Sequence, residues 1–115
     1  MCVKKERIKS VQEDDIEITS NSYGVNLTSG YNPYRYDFSD RGDDAVTVMY
    51  PYLLNIYSNG NAQTANPAGG GFNTSTKNSK NSLHVAANDP NDLISNYSSF
   101  GPTIDGRLVP VRIYI

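Results

Sequence analysis

The sequence has few of the side chains that build metal centres and disulfides. Among its 115 residues there is one cysteine and one histidine, so it lacks a disulfide pair and the ligands of an ordinary zinc site. Cys2 is interpreted as an incidental residue near the start of the chain. His84 lies in an alternating stretch, residues 83–86, and is interpreted as a strand residue rather than a ligand or base. We therefore expect no metal and no cofactor.

Charge and long apolar runs are also scarce. Charged residues make up 19% of the chain and the formal net charge is −2, which provides no basic surface for nucleic acid or for a membrane. No run of about 18 apolar residues is present, so no segment is predicted to span a membrane. Residues 1–7 carry charge without a following apolar region and do not resemble a secretory signal. We expect no nucleic-acid and no membrane partner; localisation and oligomeric state stay open.

The stretch around which the chain is organised is residues 51–61. Its part 52–57 is mostly apolar and aromatic and is too short for a buried helix, which favours a strand buried on both faces of a parallel sheet. The strand stops in four polar, turn-forming residues, 58–61. In open α/β sheets, ligands gather beyond the carboxyl ends of strands. Asn61 is therefore the first residue that we predict to be functional.

Other elements are predicted on both sides of this strand. They are a weak amphipathic helix within residues 1–13, a strand over 16–20 that also runs into small polar residues, a helix from near Arg41 to before Pro51 with Ser39 or Asp40 as its cap, a strand over 82–87, and a tight turn at 104–107. Strand–helix–strand order at intervals of about thirty residues indicates a parallel α/β sheet with right-handed crossovers.

Four segments, in matching order and spacing, resemble one family. Residues 18–24 (ITSNSYG) resemble the subtilase stretch SNSWG or SNSYG, and residues 51–61 resemble the strand that ends in SAGN. Residues 80–87 are similar to the strand often written AKNVITVGA, and residues 97–107 (YSSFGPTIDGR) to SSFGPTDDGRIKPD. The resemblance covers about residues 14–110. It implies that residues 1–115 are part of the catalytic domain of a subtilisin-like serine peptidase, typically a secreted enzyme, with about three strands and one or two helices of its three-layer fold.

The resemblance also assigns roles to the polar strand ends. Asn61 matches the asparagine whose side-chain amide donates to the oxyanion of the tetrahedral intermediate. Six further positions match substrate-binding residues, namely Ser22, Tyr23 and Gly24 on a strand edge that pairs with the substrate backbone, and Ser58, Asn59 and Gly60 in the wall of the pocket for the side chain before the scissile bond. The family usually has a small residue at the position of Asn59, so a different pocket shape is expected. The implied partner is a peptide or protein substrate.

The motifs that hold the family's catalytic triad do not occur at matching places. The nucleophile of the family lies in Gly-Thr-Ser, its base in His-Gly and its aspartate in Asp-Ser/Thr-Gly. Here residues 73–75 read Asn-Thr-Ser, His84 is followed by Val85, and Asp105-Gly106 belongs to the later turn. The match is lost near Pro110. We interpret the chain as an internal fragment of a serine endopeptidase that is inactive alone; a non-catalytic peptide-binding module and an unrelated small α/β or β-rich domain stay open as alternatives.

Overall fold

The computed structural model describes residues 3–23, 36–61, 63, 78–103 and 105–110. In chain order the elements are α1 (Val3–Asp14), β1 (Ile18–Asn21), α2 (Phe38–Met49), β2 (Leu54–Ser58), β3 (Ser82–Val85), β4 (Gly101–Pro102) and β5 (Leu108–Val109). Gly24, the segment 73–75 and the last five residues lie outside the described part of the chain.

β1, β2 and β3 form a parallel sheet in that order, which confirms the predicted α/β class. Ile18 lies opposite Leu54, and Tyr57 lies opposite His84. β4 and β5 form a separate antiparallel pair. The strands predicted from residues 16 and 52 begin two residues later in the structure. Residues 15–17 connect α1 to β1, and a turn with a hydrogen bond from Leu53 N to Tyr50 O (2.9 Å) precedes β2.

The prediction that β2 is buried on both faces is wrong. Asn55 and Tyr57 have no exposed surface, whereas Leu54 is 40% exposed and its neighbour Ile18 is 62% exposed. The cause is that both helices lie on one side of the sheet, since Arg7 of α1 and Asp43 of α2 meet above Tyr57. We call this side the covered face and the other side the open face.

Polar side chains dominate the covered face, and apolar ones dominate the open face. On the covered face the Asn21 amide donates to Thr19 Oγ1 (3.0 Å) and to the Ile56 carbonyl (3.0 Å), and the Thr19 hydroxyl donates to Asn55 Oδ1 (2.7 Å). The alternation of side chains along a strand places Ile18, Leu54, Ile56, Leu83 and Val85 on the open face. These hydrogen bonds link β1 to β2 on the covered face.

Helix α2 begins three residues before the predicted start. Its N-cap is Asp37 and not Ser39 or Asp40, which corrects that prediction. Asp37 and Asp40 form a capping box, because the Asp40 amide donates to Asp37 Oδ1 (3.0 Å) and the Asp37 amide donates to Asp40 Oδ2 (3.0 Å). Asp40 is therefore the third residue of the helix, and its carboxylate accepts the backbone amide of the N-cap residue.

Three aspartates of α2 fix the neighbouring elements. Asp40 Oδ1 accepts the amide of Asn78 (2.8 Å), and Asp43 Oδ1 accepts from Arg7 of α1 (2.9 Å). Asp44 Oδ1 accepts the backbone amides of residues 80 and 81, each at 2.8 Å. Asp40 and Asp44 thus hold the segment that leads into β3, and Asp43 holds α1. Asp40 lies in the first turn, where its charge also complements the helix dipole.

The predicted tight turn at 104–107 joins β4 to β5. Gly106 has a φ of 81°, a left-handed conformation that favours glycine, and its amide donates to the Thr103 carbonyl (2.9 Å). Asp105 accepts from Thr103 Oγ1 and from Arg107 Nε. The other guanidinium nitrogens of Arg107 donate to the carbonyls of Asn78 (2.7 Å) and Ser79 (3.2 Å). This hairpin therefore holds the segment before β3, which α2 also holds.

Replacing Asp105 with asparagine is expected to lower the free energy of unfolding near neutral pH. At acidic pH the variant and the native protein should be equally stable. The hydrogen bond from Thr103, and then that from Arg107, hold the pKa of Asp105 below its ordinary value of 3.8. A depressed folded-state pKa contributes stability above the unfolded-state pKa, and this contribution is lost as the pH falls through the folded-state pKa. Urea midpoints of the native and Asp105→Asn proteins should converge below pH 3.8. A gap that stays constant down to the lowest pH would contradict this role of Asp105.

Candidate functional site

A cavity of about 240 Å³ lies at the carboxyl ends of the three parallel strands. Five of the seven residues predicted from the sequence line it, namely Ser22, Ser58, Asn59, Gly60 and Asn61. Parallel strands bring their carboxyl ends to one edge of a sheet, which explains why residues about 35–40 positions apart meet there. The structure therefore brings the two predicted polar segments together, while the chemical roles of these residues stay predictions.

The loop that carries Asn61 is held by hydrogen bonds on two sides. The Asn59 amide donates to the Val85 carbonyl (2.9 Å) and extends the pairing of β2 with β3. The Gly60 carbonyl accepts from Ser99 N (2.9 Å), and the Asn59 side-chain amide donates to the Ser99 carbonyl (2.7 Å). Gly60 has a φ of 101°, so a side chain at this position would strain the backbone. The loop is thus a rigid end of β2.

The side chain of Asn59 is buried beside the cavity. Asn59 is 1% exposed, and its amide nitrogen is directed to the Ser99 carbonyl rather than to solvent. Within the described residues its Oδ1 atom is buried without a hydrogen bond. A small residue would lack both the bond to Ser99 and this buried oxygen. The Asn59 side chain therefore occupies space next to the cavity and links the end of β2 to Ser99.

Six lining residues were not predicted as site residues from the sequence: Ser20, Ile56, Val85, Ala86, Ala87 and Ser98. The end of β3 had a usable signal, because Val85 lies in register with Ser58. For Ser98, no pattern in the neighbouring sequence predicted a place at the cavity. Ser98 reaches the cavity because its hydroxyl accepts the amide of Ala87 (3.0 Å) and its own amide donates to the Ser95 carbonyl (3.0 Å).

The described residues that line the cavity contribute amide and hydroxyl groups, and none of these residues is acidic or basic. Asn61 is exposed at its rim. An amide N–H at a rigid strand end can stabilise negative charge that develops on a substrate oxygen. These groups can donate hydrogen bonds to a bound substrate and accept hydrogen bonds from it.

His84 lies away from the cavity, on the covered face. It is 3% exposed, and Nε2 lies 3.1 Å from the Ser79 carbonyl oxygen and 3.1 Å from Ser82 Oγ. Its place in β3 confirms the interpretation as a strand residue. The described residues include no group of three or more histidine, cysteine or acidic side chains arranged to hold a metal ion. In the same residues, no helix combines the length and apolar character needed to cross a membrane.

Tyr23 does not line the cavity and is 44% exposed, but it contacts a buried cluster formed by Arg7, Asp43 and Tyr57. Its hydroxyl accepts from Arg7 (3.2 Å), and its ring meets the ring of Tyr57 edge-on at 6.4 Å. Burial lowers the pKa of Arg7, but the hydrogen bond to Asp43 and nearby charges outweigh burial and raise it overall. Burial, assisted by the charge of Asp43, raises the pKa of Tyr57, and Arg7 opposes this shift. The cluster connects both helices to the end of β1.

Comparison with known proteins gives one match. The model of a family described as the subtilase family, peptidase family S8, matches residues 3–111. The match spans all the elements described above, including α1, which lies before the segments that carried the resemblance. No curated protein and no solved structure matches the chain.

Proposed function

Because the chain belongs to the subtilase family of serine peptidases, we propose that it is an internal piece of a catalytic domain that hydrolyses peptide bonds. In this proposal it carries the oxyanion-hole and substrate-binding segments but not the Asp, His and Ser of the triad. The observation that carries the proposal is the cavity that five of the predicted site residues line at one edge of the sheet.

Asn61 is proposed as the oxyanion donor. Support comes from its exposed position at the rim and from the bonds that Ser99 and Val85 make to the two residues before it. A donor of this kind has to be held in place before the reaction, since its benefit arises only when charge develops in the transition state. The partner in this proposal is an extended peptide or protein substrate.

The substrate backbone is proposed to pair with residues 22–24 at the end of β1. β1 is an outer strand of the described sheet, so one of its edges has no neighbouring strand among these residues. A free strand edge can accept an extended peptide through backbone hydrogen bonds. Ser58, Asn59 and Gly60, which all line the cavity, are proposed to form a wall of the pocket for the side chain before the scissile bond.

The chain alone is expected to have no serine-specific peptidase activity. The described lining residues include no base or acid beside a hydroxyl group, and the triad motifs are missing from the sequence. A fluorogenic peptide assay with the purified protein tests this expectation. Turnover that a serine-directed inhibitor abolishes, and that disappears in Asn61→Ala, would overturn the proposal of an inactive piece.

The role of Asn61 is tested in an active subtilase whose matching segment is exchanged for residues 14–110 of this chain. In that hybrid Asn61→Ala should lower kcat by about 10²–10³, the loss that removal of such a donor causes in a subtilisin. Asn96→Ala, an exposed residue outside the cavity, is the control and should leave kcat unchanged. An active hybrid that is indifferent to Asn61→Ala would favour the non-catalytic peptide-binding alternative.

A further inference from the structure

A second cavity, of about 330 Å³, lies at the opposite edge of the sheet. It is formed where α1 and α2 end and where the chain enters β1 and β2. Val11 and Met49 line it from the helices, and Glu17 and Leu53 line it from the strand entries. It shares no residue with the candidate active site, so a role for this second cavity does not depend on the function proposed above.

Large apolar side chains are exposed around this second cavity. Tyr52 is 87% exposed, Met49 is 60% exposed and Ile16 is 38% exposed. All three line the cavity, so they form one patch rather than isolated surface residues. A contiguous patch of this kind, next to a concave surface, is typical of a site that binds an apolar side chain of a partner.

The charges around the second cavity favour a partner with positive charge. The last turns of α1 and α2 contain no basic residue, so the partial negative charges at both helix ends are not neutralised there. Asp15 and Glu17 line the cavity, and no lysine or arginine does among the residues that the structure describes. The field inside it is therefore negative from four sources, two helix ends and two carboxylates.

Apolar walls and negative potential together define the occupant. We propose that the second cavity docks a peptide segment of a partner protein that presents an arginine next to a large apolar side chain. The guanidinium meets Asp15, Glu17 and the helix ends, where each planar N–H pair can reach a carboxylate or a carbonyl. The apolar neighbour packs on Met49, and the ring of Tyr52 can lie against the cation.

The test uses the peptide acetyl-Leu-Arg-Trp-amide and its analogue with citrulline in place of arginine. The chain contains no tryptophan, so tryptophan fluorescence reports only on the peptide. Citrulline keeps the shape of arginine but removes the charge. We expect saturable binding of the arginine peptide, with the citrulline peptide about two- to fivefold weaker, as partly exposed ionic contacts allow. No saturation, or equal affinity for both peptides, would overturn the proposal.

Two matched variants, Asp15→Asn and Asp92→Asn, test whether the arginine peptide binds at the second cavity. Asp15 and Asp92 are both exposed aspartates with positive φ angles, 52° and 60°, a conformation that asparagine also adopts. Asp15→Asn should weaken binding of the arginine peptide about two- to fivefold and leave the citrulline peptide unaffected. Asp92→Asn, which is not at the cavity, should change neither. Equal effects of the two variants would refute the docking site.

Two further variants keep the test decisive if Asp15→Asn disturbs the fold, which circular dichroism would reveal. Glu17→Gln removes the second carboxylate of the cavity and should show the same selective loss for the arginine peptide. Tyr52→Ala should weaken both peptides, since it removes apolar contact. If neither variant changes the affinity of the arginine peptide, the peptide binds elsewhere and the proposal is wrong.

Discussion

Replacing Arg7 with methionine should lower the free energy of unfolding by about 3–5 kcal/mol, the cost of breaking a buried ion pair from one side. The Arg7 and Asp43 side chains are 4% and 6% exposed, and their atoms are 2.9 Å apart. Methionine matches the length of the apolar part of arginine but leaves the Asp43 carboxylate without its cationic partner. It also removes the donor to the Tyr23 hydroxyl and the cation that lies 5.6 Å from the centre of the Tyr57 ring.

The matched control for Arg7 lies on the same helix. Lys9 pairs with Glu13 at 3.5 Å, but these side chains are 68% and 61% exposed. Lys9→Met should therefore cost no more than about 0.5 kcal/mol. Urea unfolding followed by circular dichroism measures both variants, and the double variant Arg7→Met, Asp43→Leu should recover part of the loss because no buried charge remains. Similar losses for Arg7→Met and Lys9→Met would show that burial of the pair does not decide its effect.

Replacing Asp44 with alanine should have the second largest effect, a loss of about 3–4 kcal/mol. Asp44 is 9% exposed, and its carboxylate accepts the amides of Lys80 and Asn81 and the hydroxyl of Tyr36 (2.7 Å). Each hydrogen bond to a charged group contributes about 1.5–3 kcal/mol, and bonds that share one acceptor contribute less than their sum. The loss should appear as a lower urea midpoint and as faster amide hydrogen exchange at the start of β3.

Two conservative variants separate the contributions at Asp44. Asp44→Asn keeps one oxygen for the two backbone amides and should lose about half as much as Asp44→Ala. Tyr36→Phe removes only the phenol bond and should cost about 1 kcal/mol. That bond also raises the pKa of Tyr36 to about 12, so a tyrosine titration near this pH should disappear in Tyr36→Phe. An Asp44→Asn variant as unstable as Asp44→Ala would mean that charge, not geometry, holds the segment.

The parallel sheet and the position of Asn61 were predictable from the sequence because both depend on local patterns. A short apolar run that ends in turn-forming residues identifies a strand end, and alternation of strands with helices places such ends at one edge. The family resemblance then gave Asn61 a role that no local pattern contains. Residues 22 and 58–61 do meet around one cavity.

The parts that the sequence did not predict depend on contacts between distant residues. Which face of β2 is covered is decided by Arg7 and Asp43, which are 36 positions apart. The cap of α2 was misassigned because Ser39 and Asp40 both have good capping chemistry, and only the reciprocal bonds with Asp37 distinguish the true cap. Ser98 joins the cavity through contacts of residues 98 and 99 with β2 and β3, for which no short-range signal exists.

The distribution of polar residues between the two faces of the sheet has a calorimetric consequence. Exposure of apolar surface raises the heat capacity on unfolding, and exposure of polar surface lowers it. In this chain unfolding releases amides and hydroxyls such as those of Asn21 and Asn55 from the covered face, while Ile18 and Leu54 already contact water in the native state. The heat-capacity change should therefore fall below the ordinary value of about 12–15 cal/mol/K per residue. A flatter stability curve follows, with little loss of stability on cooling.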